Sequence, residues 1–264
     1  MTMKPRIRQE LIVDYVRQHE KVTVDALAAA FEASRETIRR DLTDLAHRGL
    51  IKKFHGGAAL PEIMVFDGRG ENPFLVRMQE NLREKRAIAR RAAALFQPGD
   101  TILIDTGTTT VVFADELCRL SGLTVITNSV HVAQAMTRAS DQNTAFLIGG
   151  KYRDESGENL GAMTVEEIGR FHAKYAVLTV GAIEEAGFMD YDMEEAEIAR
   201  TMIAQSRHIT VLADSSKLTR TGLFQVCPLG KVDRLVTDRM PTGNVADALA
   251  RAGVEIIIAP PTSG

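Results

Sequence analysis

From residue 101 onward the chain alternates short apolar runs with amphipathic stretches, and this alternation limits the possible folds more than any other feature. The runs Thr101–Asp105, Leu123–Thr127, Ala145–Gly149, Tyr175–Val180, Ile209–Asp214, Leu235–Thr237 and Val254–Ile258 are apolar almost throughout, as strands buried on both faces must be. Between them, Val111–Leu120, Val130–Thr137, Glu194–Gln205 and Asn244–Ala252 carry helical periodicity. Strands separated by helices predict an α/β domain built on an open, mostly parallel sheet with helices on both faces. At 264 residues the chain is long enough for a second domain, and its N-terminal part has a different rhythm.

Ile7, Leu11, Ile12, Tyr15 and Val16 recur at helical spacing and predict a helix over residues 5–18. A β-branched Val22-Thr23-Val24 follows, then a short helix from Asp25 to Phe31 with Leu27, Ala28 and Phe31 on one stripe. Glu32-Ala33 turns the chain. Ser34 is placed to cap a third helix, Arg35 to His47, because its hydroxyl can accept from a first-turn amide. Ile38, Leu42 and Leu45 form that helix's inner stripe, and Gly49 suits its end. Leu50–Phe54 reads as a strand and His55-Gly56-Gly57 as a turn. This order predicts a winged helix-turn-helix over residues 1–60. Residues 61–80 lack periodicity, carry Pro61, Gly68, Gly70 and Pro73, and read as a linker. A helix from Asn81 to Phe96 opens the second domain, 81–264.

Charge divides along the same boundary. Residues 1–60 have a balance of +3 and the remainder −6, so a polyanionic partner fits the N-terminal module alone. Cys118 and Cys227 have no metal-ligand spacing and are expected to stay reduced. No run approaches the ~18 apolar residues of a membrane span, and the N-terminus lacks the apolar core of a secretion signal. A cytoplasmic protein with no membrane partner, no metal and no cofactor is expected.

In a winged helix-turn-helix the third helix enters the major groove and its first turns meet base edges. Here those positions are Arg35, Glu36, Thr37, Arg39 and Arg40. Arginine can bond guanine with two parallel hydrogen bonds, and threonine can reach bases or phosphates. Lys52, Lys53 and His55 on the wing are suited to backbone phosphates, which fix register without reading sequence. With Thr23 and Ser34, these residues form the candidate contact set for double-stranded DNA, Glu36 carrying little weight as a reader. The alternative is a solvated helix on a protein–protein module. Arg39-Arg40 alone would favour that alternative, whereas the full spacing of helices and basic wing favours DNA.

The densest chemistry in the larger domain is Ile102-Leu103-Ile104-Asp105-Thr106-Gly107-Thr108-Thr109-Thr110, an apolar strand delivering a Gly-Thr-Thr-Thr loop to a helix N-terminus. Free amides, the positive helix end and three hydroxyls would seat a phosphate there. The competing reading is that the threonines only cap the helix. Neither a Walker-type Gly-Lys-Ser/Thr nor a Gly-x-Gly-x-x-Gly accompanies the strand. Thr127-Asn128-Ser129, Gly149-Gly150 and Asp214-Ser215-Ser216-Lys217 end other strands, and ligands of open parallel sheets bind beyond such ends.

The string FEASRETIRRDLTDLAHRGLIKKFHGGA, residues 31–58, resembles the DeoR family of bacterial transcriptional regulators. EKRAIARRAA (84–93), LIDTGTTT (103–110), VITNS (125–129), LIGG (147–150), DYDMEEAE (190–197) and VLADSSK (211–217) are similar to that family's C-terminal sensor domain. The resemblance spans most of residues 4–238. It implies a sheet akin to those of ribose-phosphate isomerases and coenzyme A transferases. It also implies a phosphorylated sugar or polyol as inducer, its phosphate on Gly107–Thr110, with Asp105, Asn128, Gly150, Asp192, Glu195 and Lys217 around the rest. A homodimer or homotetramer on an inverted repeat follows. Repression is favoured by the resemblance, since the residues by themselves do not separate it from activation. Ala199 and Leu218 depart from the lysine and phenylalanine that many members have. Asp41 is expected to pair with a nearby base within the fold, and Gly56-Gly57 to permit a turn.

A different class of activity stays open at this level. An aldose–ketose phosphate isomerase could use Asp105, Glu195 and Lys217 as acid–base groups, although such an enzyme needs no DNA-reading module. His19, His47, His131, His172 and His208 share no metal-ligand spacing, and the scattered methionines read as core filler.

Overall fold

The computed structural model describes residues 5–19, 21–47, 50–54, 56–59, 71–139 and 142–260. The expectations for Gly49, His55 and residues 61–70 lie outside the described residues. The chain folds as two compact units, Met1–Arg77 and Met78–Gly264.

In the first unit α1 (Pro5–His19), β1 (Lys21–Thr23), α2 (Val24–Ala30), α3 (Arg35–His47), β2 (Lys52–Phe54) and β3 (Gly57–Ala59) follow in order. The three strands form one antiparallel sheet in the order β1-β3-β2, so the β-branched Val22-Thr23 stretch is the third strand of the wing sheet. Ile12, Val16, Leu27, Ile38, Leu42 and Leu45 are buried at 1% exposure or less and hold the three helices together. Each such side chain contributes roughly 1.5–3 kcal/mol by burial. Helix α2 starts one residue before Asp25, because Thr23 Oγ1 accepts from Ala26 N at 3.1 Å and caps it. Glu32, at φ +48°, makes the turn between α2 and α3. Of the two adjacent glycines, Gly56 supplies the turn at φ +87°. Gly57 instead lies in β3, where a Cβ would sit 2.2 Å from the Val22 carbonyl oxygen. Within the stretch read as linker, Phe74–Arg77 forms one helical turn, α4.

The second unit opens with α5 (Leu82–Ala93), then β4 (Thr101–Ile104), α6 (Thr108–Leu117), β5 (Thr124–Thr127), α7 (Val130–Ala139) and β6 (Thr144–Leu147). A hairpin of β7 (Lys151–Arg153) and β8 (Glu158–Leu160) leads to α8 (Ala162–Ile168) and β9 (Ala173–Leu178). Then come β10 (Ala182–Glu184), β11 (Gly187–Asp190), α9 (Met193–Ala204), β12 (Ser206–Leu212), a 3-10 turn at Ser215–Thr219, and β13 (Phe224–Cys227). A second 3-10 turn, Leu229–Lys231, precedes β14 (Arg234–Thr237), α10 (Gly243–Ala252) and β15 (Glu255–Ile258).

Among the described residues, seven strands form one sheet in the order β15-β14-β12-β9-β4-β5-β6, and every neighbouring pair is parallel. The continuous apolar runs have their cause here. On β4, Leu103 packs with α9 residues Ala199 and Met202 on one face, while Ile102 and Ile104 pack with Phe113 and Val132 on the other. All three β4 residues are fully buried. The smaller antiparallel sheet β10-β11-β13 and the β7–β8 hairpin were not foreseen. Their strands are three or four residues long, too short to establish a period.

The strand order sets the site. From β4 the chain adds β5 and β6 on one side; from β9 it adds β12, β14 and β15 on the other. The order therefore reverses between β4 and β9, and a crevice opens at the carboxyl ends of those two strands.

Candidate functional site

On the DNA-reading module, α3 turns Arg35, Glu36, Arg39 and Arg40 outward and leaves Thr37 half-buried. Ser34 performs the predicted cap: its Oγ accepts from Thr37 N at 3.1 Å and lies 2.9 Å from Thr37 Oγ1. Several candidate contacts already have partners. Arg35 Nε is 2.6 Å from Asp25 Oδ1, and Arg40 Nε is 3.7 Å from Glu36 Oε1. Lys53 Nζ donates to Thr43 Oγ1 at 2.8 Å, which ties the wing to α3. These pairs are solvent-exposed, so they cost little to exchange for phosphates. Lys52 and Lys53 are exposed on β2. Lys21 was not foreseen as part of the wing; its Nζ stands 4.6 Å from the Phe54 ring centre.

In the larger unit a cleft of about 250 Å³, open mouth included, lies at the strand-order reversal. Asp105, Thr106, Asn128, Glu158, Asp190, Glu195, Ile198 and Ala199 line it. Asp105 follows β4 and Thr179 follows β9; Thr179 N donates to Asp105 Oδ2 at 2.7 Å, across the reversal. Burial pushes the Asp105 carboxyl up to about 8, opposed by hydrogen bonds from Thr179 and Thr110 and assisted by the Asp190 carboxylate. Asn128 follows β5 and is 1% exposed. Its Nδ2 donates to Asn159 O at 3.0 Å, which leaves the buried Oδ1 without a partner. The Thr106 hydroxyl is likewise buried and unpartnered. Glu195, Ile198 and Ala199 stand three and four residues apart, so α9 presents them on one face.

Arg153, at the end of β7, was missed by the sequence reading and organises this acidic wall. It donates to Glu195 Oε1 at 2.6 Å, Asp192 Oδ2 at 2.8 Å and Glu158 Oε1 at 3.4 Å. Burial works against its charge, but Asp192, Glu195 and Glu158 outweigh that effect and hold the guanidinium above its ordinary value. Asp192 is engaged twice, because its Oδ1 also accepts from Glu194 N and Glu195 N and caps α9.

The structure revises several assignments. The threonines lie within α6, which begins at Thr108 rather than Val111, because Gly107 is extended (φ −165°, ψ 160°) and serves as the helix boundary. Thr110 is no outward donor: its hydroxyl is fully buried and turns back to Gly107 O at 3.0 Å and Asp105 O at 3.2 Å. The amides of Thr108, Thr109 and Thr110 remain outside the helix's own ladder. Of the ten effector candidates, Asp105, Asn128 and Glu195 line the cleft, and Asp192 joins through Arg153. Gly150 (φ +153°) lines no part of it; a Cβ there would meet Thr164 Oγ1 at 2.0 Å, so it serves close packing. Lys217 sits in the 3-10 turn outside the cleft lining. The acid–base trio of an isomerase is therefore not assembled in this cleft.

Among the described residues no helix is long and apolar enough to cross a membrane.

Comparison with known proteins agrees with both units. Residues 8–63 match the DeoR-like helix-turn-helix domain, and residues 80–239 match the DeoR C terminal sensor domain. The chain is 33% identical to the HTH-type transcriptional repressor GlcR of Bacillus subtilis, across 94% of this chain and 93% of that protein. It is 32% identical to the glycerol-3-phosphate regulon repressor of Escherichia coli, across 96% and 99%. Among solved structures, ribose 5-phosphate isomerase A of Methanocaldococcus jannaschii overlaps 53% of this chain and 56% of its own, at 17% identity and a TM-score of 0.38. With both domain types matched in order, and repressors matched over nearly their full length, the chain belongs to the DeoR family of DNA-binding transcriptional regulators.

Proposed function

We propose that this regulator represses a sugar or polyol catabolic operon and leaves its operator when a phosphorylated sugar or polyol enters the sensor cleft. The observation that carries this reading is the mismatch inside the cleft. Asn128 offers an unpartnered acceptor, and Glu158, Asp190 and Glu195 add carboxylates, so the occupant must bring hydrogen-bond donors. The hydroxyls of a polyol satisfy that need; its phosphate does not. The phosphate lies instead at the α6 N-terminus beside the cleft, where the Thr108 and Thr109 amides face an anion. Glycerol 3-phosphate is the first effector to test, because the Escherichia coli relative is named for that regulon.

On the DNA side, Arg39 and its neighbours on α3 read bases, while Thr23, Ser34, Arg40 and the wing lysines hold phosphates. A homodimer or homotetramer presents two such modules to an inverted repeat. The effector acts only through its differential affinity for the operator-bound and released states.

The test is a titration of operator complexes with glycerol 3-phosphate and a panel of other phosphorylated sugars and polyols. One of them should release the operator and also raise the thermal stability of the free protein. If no member does either at millimolar levels, the sensor reading is wrong.

A further inference from the structure

We infer that Asn81 is the positioning residue that transmits effector occupancy from the Asp214–Lys217 loop to the point where the chain enters the sensor domain. This inference rests on the inducer-release reading above and adds the mechanical link that reading requires.

Asn81 immediately precedes α5. It adopts φ +50°, ψ +34°, one of two non-glycine residues with positive φ among those described. Asparagine tolerates this left-handed conformation better than most residues. Asparagine is also a favoured helix cap, yet here the side chain makes no capping bond to α5. It reaches across the fold instead. Its Nδ2 donates to Asp214 Oδ1 at 2.9 Å and approaches Ser216 Oγ at 3.5 Å.

The receiving loop is stiff. Asp214 is 3% exposed, and its Oδ1 also accepts from Ser216 N at 3.1 Å. Asp238 holds the Ser215 amide at 2.6 Å and its hydroxyl at 2.9 Å. The loop is thus anchored to the segment after β14 on one side and to Asn81 on the other. At the far end of the link, Asn81 O accepts from Lys85 N at 2.9 Å, which closes the first turn of α5. A shift of the Asp214 carboxylate moves the Asn81 side chain, and with it the backbone that begins α5. Upstream of that point the chain leads to the DNA-reading module.

The clean variant is Asn81→Gly, because glycine keeps the left-handed backbone and removes only the side-chain bonds. In the full-length protein it should retain operator affinity without effector and retain sugar-phosphate binding by thermal shift. The effector concentration for half-release should rise about tenfold, the scale of a typical coupling energy. The exchange pair Asn81→Asp with Asp214→Asn swaps donor and acceptor and should restore release. Normal release by Asn81→Gly overturns the inference, and so does failure of the swap to rescue. Hydrogen exchange supplies a readout that needs no effector. Asn81→Gly should speed exchange at the Ser216 amide, and an unchanged rate there refutes the link. If the unaltered protein binds no sugar phosphate, the function reading fails and the exchange experiment alone decides the role of Asn81.

Discussion

Arg8 and Asp41 form a buried ion pair that ties α1 to α3. Arg8 Nε lies 2.6 Å from Asp41 Oδ2, and its NH2 nitrogen 3.3 Å from Oδ1. The side chains are 7% and 5% exposed. Asp41 therefore faces the interior of the DNA-reading module although α3 carries its reading face. Asp41→Ala would leave the Arg8 charge buried beside nothing that compensates it, at a cost of about 3–5 kcal/mol. Urea unfolding of the N-terminal module measures this. A loss below about 1 kcal/mol would mean that the pair behaves as a surface salt bridge.

Arg39→Ala tests base reading. The side chain is exposed on the face of α3 opposite Leu42. Loss of a base contact should cost ~1–3 kcal/mol on operator DNA and little on random DNA. Equal losses on both, by fluorescence anisotropy at fixed salt, would assign Arg39 to phosphate.

Asp105 gives the sensor unit a pH dependence of definite sign. Its carboxyl is raised to about 8 in the fold, from 3.8 when unperturbed. Between those values the folded state keeps a proton that the unfolded chain releases. Its stabilising contribution is thus complete below the lower value and lost as pH rises through the upper one. Asp105→Asn should flatten that decline and raise the melting temperature more at about pH 8.5 than at about pH 5. An equal change at the two pH values would mean that Asp105 ionises normally in the fold.

Arg153→Met should weaken effector response and stability together. It strips the counter-charge from Asp192, Glu195 and the nearly inaccessible Glu158. Arg153→Lys should recover little, because one ammonium cannot serve three carboxylates at the geometry of a planar fork. The expected loss of stability is ~1–3 kcal/mol. Thermal unfolding and effector titration read the two effects, and full recovery by lysine would reduce Arg153 to a mere counter-charge.

Gly107→Ala examines the close approach at the strand reversal. A Cβ at 107 would stand 2.0 Å from Thr179 Oγ1, with an extended backbone that any residue can adopt. The cost is therefore a collision rather than strain, ~1–3 kcal/mol. Thr179→Ala in the same chain should relieve most of it. Additive losses in the double variant would place the cause elsewhere.

The architecture was legible because its signals are local and repeated. Continuous apolar runs such as Ile102-Leu103-Ile104 report burial on both faces directly, and the Ser34 cap falls where the sequence puts it. Asp41 was legible as a partner of some base, though not of Arg8 in particular. The cleft was legible only in part. Asp105 and Asn128 follow strands and could be found by that rule. Arg153 could not, because its partners stand 39 and 42 residues ahead and nothing in Lys151-Tyr152-Arg153 announces them. Thr110 shows the opposite error. A hydroxyl at a helix start looks available in sequence, whereas here it is consumed by two carbonyls of its own turn.

Because every strand of the main sheet runs the same way, all seven carboxyl ends open on one rim while their side chains interlock below it. Residues at the rim can be exchanged without disturbing the layers that hold the fold. A change in the metabolite detected therefore needs only a few substitutions such as those at positions 128, 195 and 199, and leaves the operator-gripping half of the molecule as it was.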